Sequence, residues 1–202
     1  MKRDYQKEME AEISALGGTR PRLLLHACCA PCTSAVLERL YPHFAVTLFY
    51  FNPNTHPEEE YEKRGGELPK LLRAAHMEDV PILHGAYDPE RFFDAAKGLE
   101  GEPEGGARCE TCFDLRLTGT AETARDGGFE YFCTTLTVSP HKNAALINAI
   151  GEELSVLHGV KWLPSDFKKK DGYLRSIRLS QEYGLYRQCY CGCTFSMAGP
   201  KF

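Results

Sequence analysis

Short apolar runs alternate along this chain with longer segments in which apolar residues recur at helical spacing. Runs rich in leucine, aromatic and β-branched residues are typical of buried strands. The predicted strands are Arg22–His26, Phe44–Phe51, Phe129–Thr134 and a shorter one near Val80–His84. The predicted helices are one within residues 1–20 and, after it, Ser34–Tyr41, Pro57–His76, Asp88–Lys97, Cys109–Asp126, Pro140–Leu157 and Tyr173–Tyr183. Thr33 or Ser34 is expected to cap the second of these helices, and Ser139 the one that begins at Pro140.

Strand–helix alternation at this spacing predicts the α/β class, with a parallel sheet flanked by helices in the HUP or Rossmann-like manner. We expect residues 1–20 to form a helical extension and residues 21–202 to form one catalytic α/β domain with a cysteine-rich end. Loops after the carboxyl ends of parallel strands meet on one rim of the sheet, where ligands bind. The loops expected there are Cys28–Cys32, Asn52–His56 and Thr134–His141.

The composition narrows the kind of protein. A chain of 202 residues that is 43% hydrophobic can bury a core without needing metals or disulfides to fold. No segment has the apolar run of a signal peptide or of a membrane-spanning helix, so we expect a cytoplasmic protein with no membrane partner. Thiols stay reduced in the cytoplasm, and clustered cysteines there favour metal or redox chemistry over structural disulfides.

Eight of the nine cysteines fall into three groups. The groups are Cys28, Cys29 and Cys32; Cys109 and Cys112; and Cys189, Cys191 and Cys193. The first group lies at a strand-to-helix junction, where backbone N–H groups and the helix dipole favour the thiolate. Adjacent cysteines diverge too much to share one mononuclear metal ion easily, but they can reach different irons of a cluster. Three thiol groups in one domain therefore predict a metal site, with an iron–sulfur cluster favoured over zinc. Cys133, alone within an apolar strand, is expected to be a core residue.

Polar residues near the predicted rim are candidates for catalysis and substrate binding. Asn52 and Asn54 follow the second strand, and Thr134 and Thr135 follow the fourth. His141 is suited to binding an anion or donating a proton, and Asp114 is either a helix-dipole residue, a proton donor or a metal ligand. The net charge of −4 gives no general attraction to nucleic acid. A local basic surface is nevertheless expected from Lys168, Lys169, Lys170, Arg175, Arg178 and Arg187.

Six ordered motifs resemble those of the QueH-type epoxyqueuosine reductases. They are LLLHACCAPC, FYFNPNTHP, CETCFDLRL, TTLTVSPHKN, FKKKDGYLRSIRLSQEYGLYRQ and YCGCTFS, and they extend from about residue 22 to residue 196. The resemblance implies an oxidoreductase that reduces the epoxide of epoxyqueuosine in a tRNA anticodon stem-loop, without cobalamin. It also implies an external electron donor, since a cluster passes one electron at a time.

The same resemblance implies roles for particular residues. Cys28, Cys29, Cys109 and Cys112 are the expected ligands of a [4Fe–4S] cluster, and Cys191 and Cys193 the expected ligands of an additional iron ion, with Cys32 or Asp114 taking part. Asp114 and His141 are the expected acids. Asn52, Asn54, Thr134, Thr135, Lys168, Lys169, Arg175 and Arg187 are the expected substrate-binding residues, with Tyr50, Phe51 or Tyr190 stacking on the modified base.

Two other interpretations of the cysteines stay open at this point. Cys29 and Cys32 form a CxxC pair, which is also the signature of a thiol–disulfide oxidoreductase. Paired cysteines are also found in non-enzymatic zinc modules, here one that would recognise RNA. The metal content of the protein separates all three.

Overall fold

A computed structural model describes residues 3–197 of the chain. Its sheet has five strands: β1 (Arg22–His26), β2 (Ala45–Tyr50), β3 (Ile82–His84), β4 (Tyr131–Thr134) and β5 (Lys161–Trp162). The strand order is β3-β2-β1-β4-β5, and all neighbours are parallel. The predicted α/β class is therefore confirmed. The proposed division at residue 20 stays a prediction, and residues 1–2 and 198–202 of its two parts lie outside the described range.

Helices connect the strands. They are α1 (Tyr5–Ala15), α2 (Ala30–Leu40), α3 (Glu58–Ala74), α4 (Pro89–Ala95), α5 (Ala107–Asp126), α6 (Ala144–His158), α7 (Gly172–Glu182) and the short α8 (Thr194–Met197). A 3-10 helix, Thr135–Val138, follows β4 directly. No helix in residues 3–197 combines the length and the apolar character that crossing a bilayer requires.

Alternate residues of the strands pack into two hydrophobic cores, one on each face of the sheet. Leu23 and Leu25 of β1 pack with apolar residues of α2 and α3. Leu24 points the other way, into a second core that contains Leu117 of α5 and Ile147 of α6. Cys133 belongs to the first core and is fully buried, as the sequence predicted. Burial on both faces fixes the strand register, and with it the positions of the loops at the rim.

The predicted helix caps were wrong. The N-cap residue of α2 is Cys29, while Thr33 lies within the helix and its hydroxyl donates to the Cys29 carbonyl. The helix α6 begins at Ala144, and its cap is Asn143, whose Oδ1 accepts from the backbone N–H groups of Ala145 and Leu146. Ser139 instead ends the 3-10 helix, which occupies residues that the sequence pattern predicts to be a loop.

The order of the strands locates the binding rim more narrowly. The chain runs from β1 outward to β2 and β3 on one side, and β4 and β5 lie on the other side of β1. In open parallel sheets, ligands bind beyond the carboxyl ends of the strands where the order reverses. That position lies between the ends of β1 and β4, where the first cysteine group begins.

Candidate metal centre

Three cysteines come together where β1 passes into α2. The sulfur atoms of Cys28, Cys29 and Cys32 all lie within 4.8 Å of one another. Cys29 is the extended residue before α2 and is only 1% exposed. Cys32 is in the first turn of the same helix, so the turn folds its thiol back towards the other two. Three converging sulfur ligands fit a thiophilic metal ion or cluster.

The end of β4 fixes the position of Cys28. The Thr135 hydroxyl accepts a hydrogen bond from the Cys28 backbone N–H at 3.1 Å and lies 3.2 Å from the Cys28 sulfur. Thr134 caps the 3-10 helix through its own Oγ1, which accepts from the Leu136 N–H. Both threonines are fully buried. They therefore form the framework of the site, and their predicted contact with substrate stays a prediction.

The three thiols influence one another's protonation. The pKa of Cys28 is lowered well below its ordinary value because its thiolate accepts hydrogen bonds from Cys29 and Cys32. The pKa values of Cys29 and Cys32 are raised, first because they donate to Cys28 and then because they are buried. In the metal-free protein one thiolate is thus stabilised by two thiols, which is an arrangement suited to receiving a metal.

A second thiol group lies on α5 and on the chain after α7. Burial, and then negative charge on Cys191 and Cys193, raise the pKa of Cys112 to about 12 against the opposing charge of Arg116. The pKa of Cys109 is raised by burial and by the same two residues. Cys112 and Cys193 also share a small hydrophobic cluster with Phe92 of α4. The structure therefore associates Cys109 and Cys112 with the cysteines of the tail, by which we mean residues 184–193.

Helix α3 holds the tail in place. Arg64, only 2% exposed, donates to the carbonyl oxygens of Cys191 at 3.0 Å and Tyr190 at 3.3 Å. Its Nε pairs with Glu60 at 2.8 Å, and Glu60 also accepts from the Tyr186 hydroxyl. Two turns further along, Glu67 accepts from the Tyr186 backbone N–H. These contacts fix a segment that has little regular structure of its own.

A buried polar network lies beneath the thiols. The Asn52 amide donates to the Ala27 carbonyl at 3.0 Å and accepts from Arg116 Nη2 at 2.5 Å. His26 Nδ1 lies 2.8 Å from the Thr134 hydroxyl and its Nε2 lies 3.0 Å from the Phe51 carbonyl. Burial, and then the charge of Arg116, lower the pKa of His26 to about 3, so the imidazole is neutral. Asn52 and Asn54 are both buried, and their predicted role in substrate binding stays untested.

The first thiol group opens into a pocket with a cationic lining. Besides Cys28, Cys29, Cys32 and Cys191, the residues around it are Arg64, Glu104, Arg116, His141, Lys142, Arg187, Gln188 and Tyr190, with Pro31, Ser139 and Tyr173 completing the wall. Burial acts to lower the pKa of Lys142, but negative charge on Cys191 and Cys28 outweighs it and raises that pKa. A pocket that joins thiols to cations is suited to an anionic or strongly polar ligand.

Other predicted site residues lie outside this pocket. Asp114 is largely exposed on α5, and the partial loss of water around its carboxyl, followed by the nearby Glu153 and Glu110, raises its pKa. Lys168 pairs with Asp166, and Arg175 pairs with Glu38. Lys169 lies on a separate groove beside the start of α6. Of the four basic residues expected to bind substrate, Arg187 is therefore the one that lines the pocket.

The stacking residues divide in the same way. Tyr50 and Phe51 are buried, and the Tyr50 hydroxyl donates to the Tyr61 carbonyl at 2.6 Å inside the core. Neither ring is available to a base, so that expectation was wrong for both. Tyr190 does line the pocket, and its hydroxyl donates to the His56 carbonyl.

The comparisons with known proteins agree with the motif pattern. The family model described as epoxyqueuosine reductase QueH matches residues 23–199. The chain belongs to the QueH family. A relative named epoxyqueuosine reductase QueH from Streptococcus pyogenes serotype M1 is 42% identical over 96% of this chain and 78% of its own length. Relatives of the same name are 42% identical in Staphylococcus epidermidis and 39% identical in Thermotoga maritima, covering 96% and 87% of this chain and 84% and 90% of their own lengths.

Membership of the QueH family confirms the resemblance drawn from the motifs and the assignment to the oxidoreductases. Several residues of the site were nevertheless not identified from the sequence, among them Arg64 and Gln188. The signal available for Arg64 was the adjacent Gly65, because a glycine inside a helix is costly and usually marks a close approach. A Cβ on Gly65 would lie 2.9 Å from the Tyr50 ring, so this side of α3 is tightly packed.

Proposed function

We propose that this protein reduces the epoxide of epoxyqueuosine to the cyclopentene of queuosine at the wobble position of tRNA. The observation that carries the proposal is the match to the QueH family over most of the chain, together with a thiol-lined pocket at the carboxyl rim of the sheet. The reaction consumes two electrons and two protons and releases the epoxide oxygen as water. We place it in the cytoplasm, with an external electron donor.

The cofactor that we propose is a [4Fe–4S] cluster on Cys28, Cys29, Cys109 and Cys112, with an additional iron ion on Cys191 and Cys193. The donor set fits, because all six are thiols, Cys191 lines the pocket of Cys28 and Cys29, and the charges of Cys191 and Cys193 act on Cys109 and Cys112. Cys32 is an alternative cluster ligand, since its sulfur is within 4.8 Å of the sulfur atoms of Cys28 and Cys29. When bound, the iron centres supply single electrons and Lewis acidity.

The residues of the chain then have three tasks around the epoxide. The pocket wall binds the modified base, with Tyr190 offering a ring for stacking. The cationic side chains stabilise negative charge that develops on the oxygen as its bond to carbon breaks. His141 lines the pocket and is the proton donor that we favour, with Asp114 retained as the second candidate.

The cheapest test is anaerobic purification followed by assay. We expect a brown protein with at least about four irons per chain and matching sulfide. We also expect mass spectrometry to find epoxyqueuosine in tRNA converted to queuosine when a reductant is supplied. A protein that carries zinc, or no metal at all, and leaves the nucleoside unchanged would sink the proposal.

Binding of tRNA should depend on Arg187 and on salt. The Arg187 guanidinium lies over the Tyr173 ring at 5.5 Å and lines the pocket, where it can reach a phosphate next to the modified nucleotide. We expect Arg187→Gln to weaken binding and to reduce the slope of log K against log salt by about 0.7 to 0.9. Fluorescence anisotropy with a labelled anticodon stem-loop measures both quantities.

The matched control for that measurement is Lys161→Gln. Lys161 begins β5, at the opposite end of the strands from the pocket, and is exposed. Its replacement removes the same charge and should leave the slope unchanged. Equal slopes for wild type and Arg187→Gln would exclude a phosphate contact by Arg187.

A further inference from the structure

Three buried arginines lie in or beside the thiol groups, and they differ in how their charge is balanced. Arg64, Arg108 and Arg116 are 2%, 4% and 3% exposed. Arg64 forms an ion pair with Glu60. Arg108 donates to the carbonyl oxygens of Leu99, Glu100 and Glu102. No aspartate or glutamate within residues 3–197 forms an ion pair with Arg116.

An unbalanced buried cation is costly unless an anion accompanies it. The polar groups that contact Arg116 among the described residues are neutral: Asn52 Oδ1 accepts from its Nη2 at 2.5 Å, and its Nε lies 3.4 Å from Nε2 of His26. Two framework groups thus orient the guanidinium but leave its charge uncompensated.

The groups that Arg116 faces are thiols. Cys112 and Arg116 are four residues apart on α5 and share a face of the helix. Arg116 lines the pocket beside Cys28, Cys29 and Cys32. One guanidinium therefore lies between the first thiol group and Cys112.

From this placement we infer that Arg116 is a positioning residue, the fixed counter-charge of an anionic thiolate-bound metal centre. The inference rests on the proposed function, because it takes the centre to be the iron–sulfur cluster. Each electron that such a cluster accepts adds a negative charge, and a buried cation nearby favours that step. Loss of the charge should therefore make the cluster harder to reduce.

The test compares wild type, Arg116→Lys, Arg116→Gln and a control that removes one positive charge elsewhere. The control is Arg39→Gln, in the last turn of α2 and about 15 Å along that helix from Cys29. Each protein is reconstituted anaerobically, its iron and sulfide are measured, its fold is checked by circular dichroism, and its midpoint potential is recorded by spectroelectrochemistry.

We expect Arg116→Gln to lower the equilibrium constant for reduction at least tenfold, which for one electron is about 59 mV towards more negative potential. Arg116→Lys, which keeps the charge, should stay near the wild-type potential, and Arg39→Gln should match wild type. A merely structural arginine would affect stability in both Arg116 variants alike without moving the potential of either. A cluster with the wild-type potential in Arg116→Gln would overturn the inference.

A second measurement covers the case in which Arg116→Gln folds but holds no cluster. The metal-free proteins are titrated with Cd²⁺ against a chelator, because thiolates bind this ion without cluster assembly. We expect at least tenfold weaker Cd²⁺ binding in Arg116→Gln, and binding close to wild type in Arg116→Lys. Equal affinities would overturn the inference. Wild-type protein that forms no cluster would defeat the proposed cofactor, while the Cd²⁺ comparison would still decide the role of Arg116.

Discussion

The Cys29→Ser variant is expected to lose most of its bound iron and at least about 100-fold in turnover. Replacing a residue that only supports a metal ligand typically costs 10- to 100-fold, and the loss of a ligand should exceed that range. Cys29 is 1% exposed and lies within 4.8 Å of two other sulfur atoms, so no solvent ligand can easily replace its thiolate. Serine has nearly the same shape, which should preserve the fold. Iron, sulfide and single-turnover conversion of epoxyqueuosine are the measurements.

Cys189→Ser is the matched control for Cys29→Ser. Cys189 is an exposed thiol of the tail that we assign to neither metal group, so its replacement should leave iron content and turnover unchanged. Wild-type iron content in Cys29→Ser would remove Cys29 from the ligand set. If wild type held no iron and both Cys29→Ser and Cys32→Ser abolished a dithiol activity, the thiol–disulfide alternative would replace the proposal.

Two further variants test whether Cys32 or Cys109 is a ligand of the proposed cluster together with Cys28 and Cys29. The family resemblance assigns Cys109, whereas the structure brings Cys32 closest to Cys28 and Cys29 as a group. Cys32→Ser and Cys109→Ser should therefore differ in iron content. The variant with the larger loss identifies the residue that belongs to the cluster.

The strands that position the site could be predicted from the pattern of apolar residues. Leu23, Leu24 and Leu25 could be assigned to a buried strand because consecutive apolar residues fit a sheet covered on both faces. A parallel sheet then brings Cys28 and Thr135 together at one rim, which the 3.1 Å bond between them confirms. Neither step needed a known relative, since both follow from strand geometry.

The roles of the polar residues at the strand ends could not be predicted from the sequence. Asn52 and Thr134 stand at strand ends, where a substrate contact and a framework contact have the same local pattern. Their framework contacts depend on distant parts of the chain, because Asn52 bonds to Ala27 and Arg116, and Thr134 to His26, while their contact with substrate stays a prediction. The separations of 25 to 108 residues are too long for any sequence window to register.

The residues that hold the tail could not be predicted from the sequence either. Its cysteines were recognisable, but the residues that hold them are on α3, more than 100 positions earlier. Arg64 lies within a charged stretch, EEEYEKRGGE, that resembles a solvated helix face. Its burial results from the docking of the tail, because Tyr190 and Cys191 cover the guanidinium. The local sequence of α3 does not indicate that the tail buries Arg64.

Gly192→Ala should release the tail from α3 and expose Cys193. Gly192 has a φ of +134°, which side-chain-bearing residues rarely adopt, and its carbonyl accepts from the His56 N–H at 2.9 Å. A Cβ there would lie 3.0 Å from Arg64 Nη1 and 3.1 Å from Thr55 Oγ1. Backbone strain of this kind costs about 1–3 kcal/mol, so the docked tail should open roughly tenfold or more often. The rate of Cys193 alkylation in the metal-free protein, followed by mass spectrometry, should rise in proportion.

Gly184→Ala supplies the control because it introduces backbone strain in the tail without a collision. Gly184 has a φ of +58°, and nothing lies within 4 Å of the point that an alanine Cβ would occupy there. That variant should lose some stability while Cys193 stays protected, since Arg64 would keep its bonds to the Tyr190 and Cys191 carbonyls. If Gly192→Ala also left Cys193 protected, contact with α3 would not be what holds the tail cysteines near Cys109 and Cys112. If the rate of Cys193 alkylation rises only in Gly192→Ala, and the same variant loses iron, the second thiol group depends on the docking of the tail against α3.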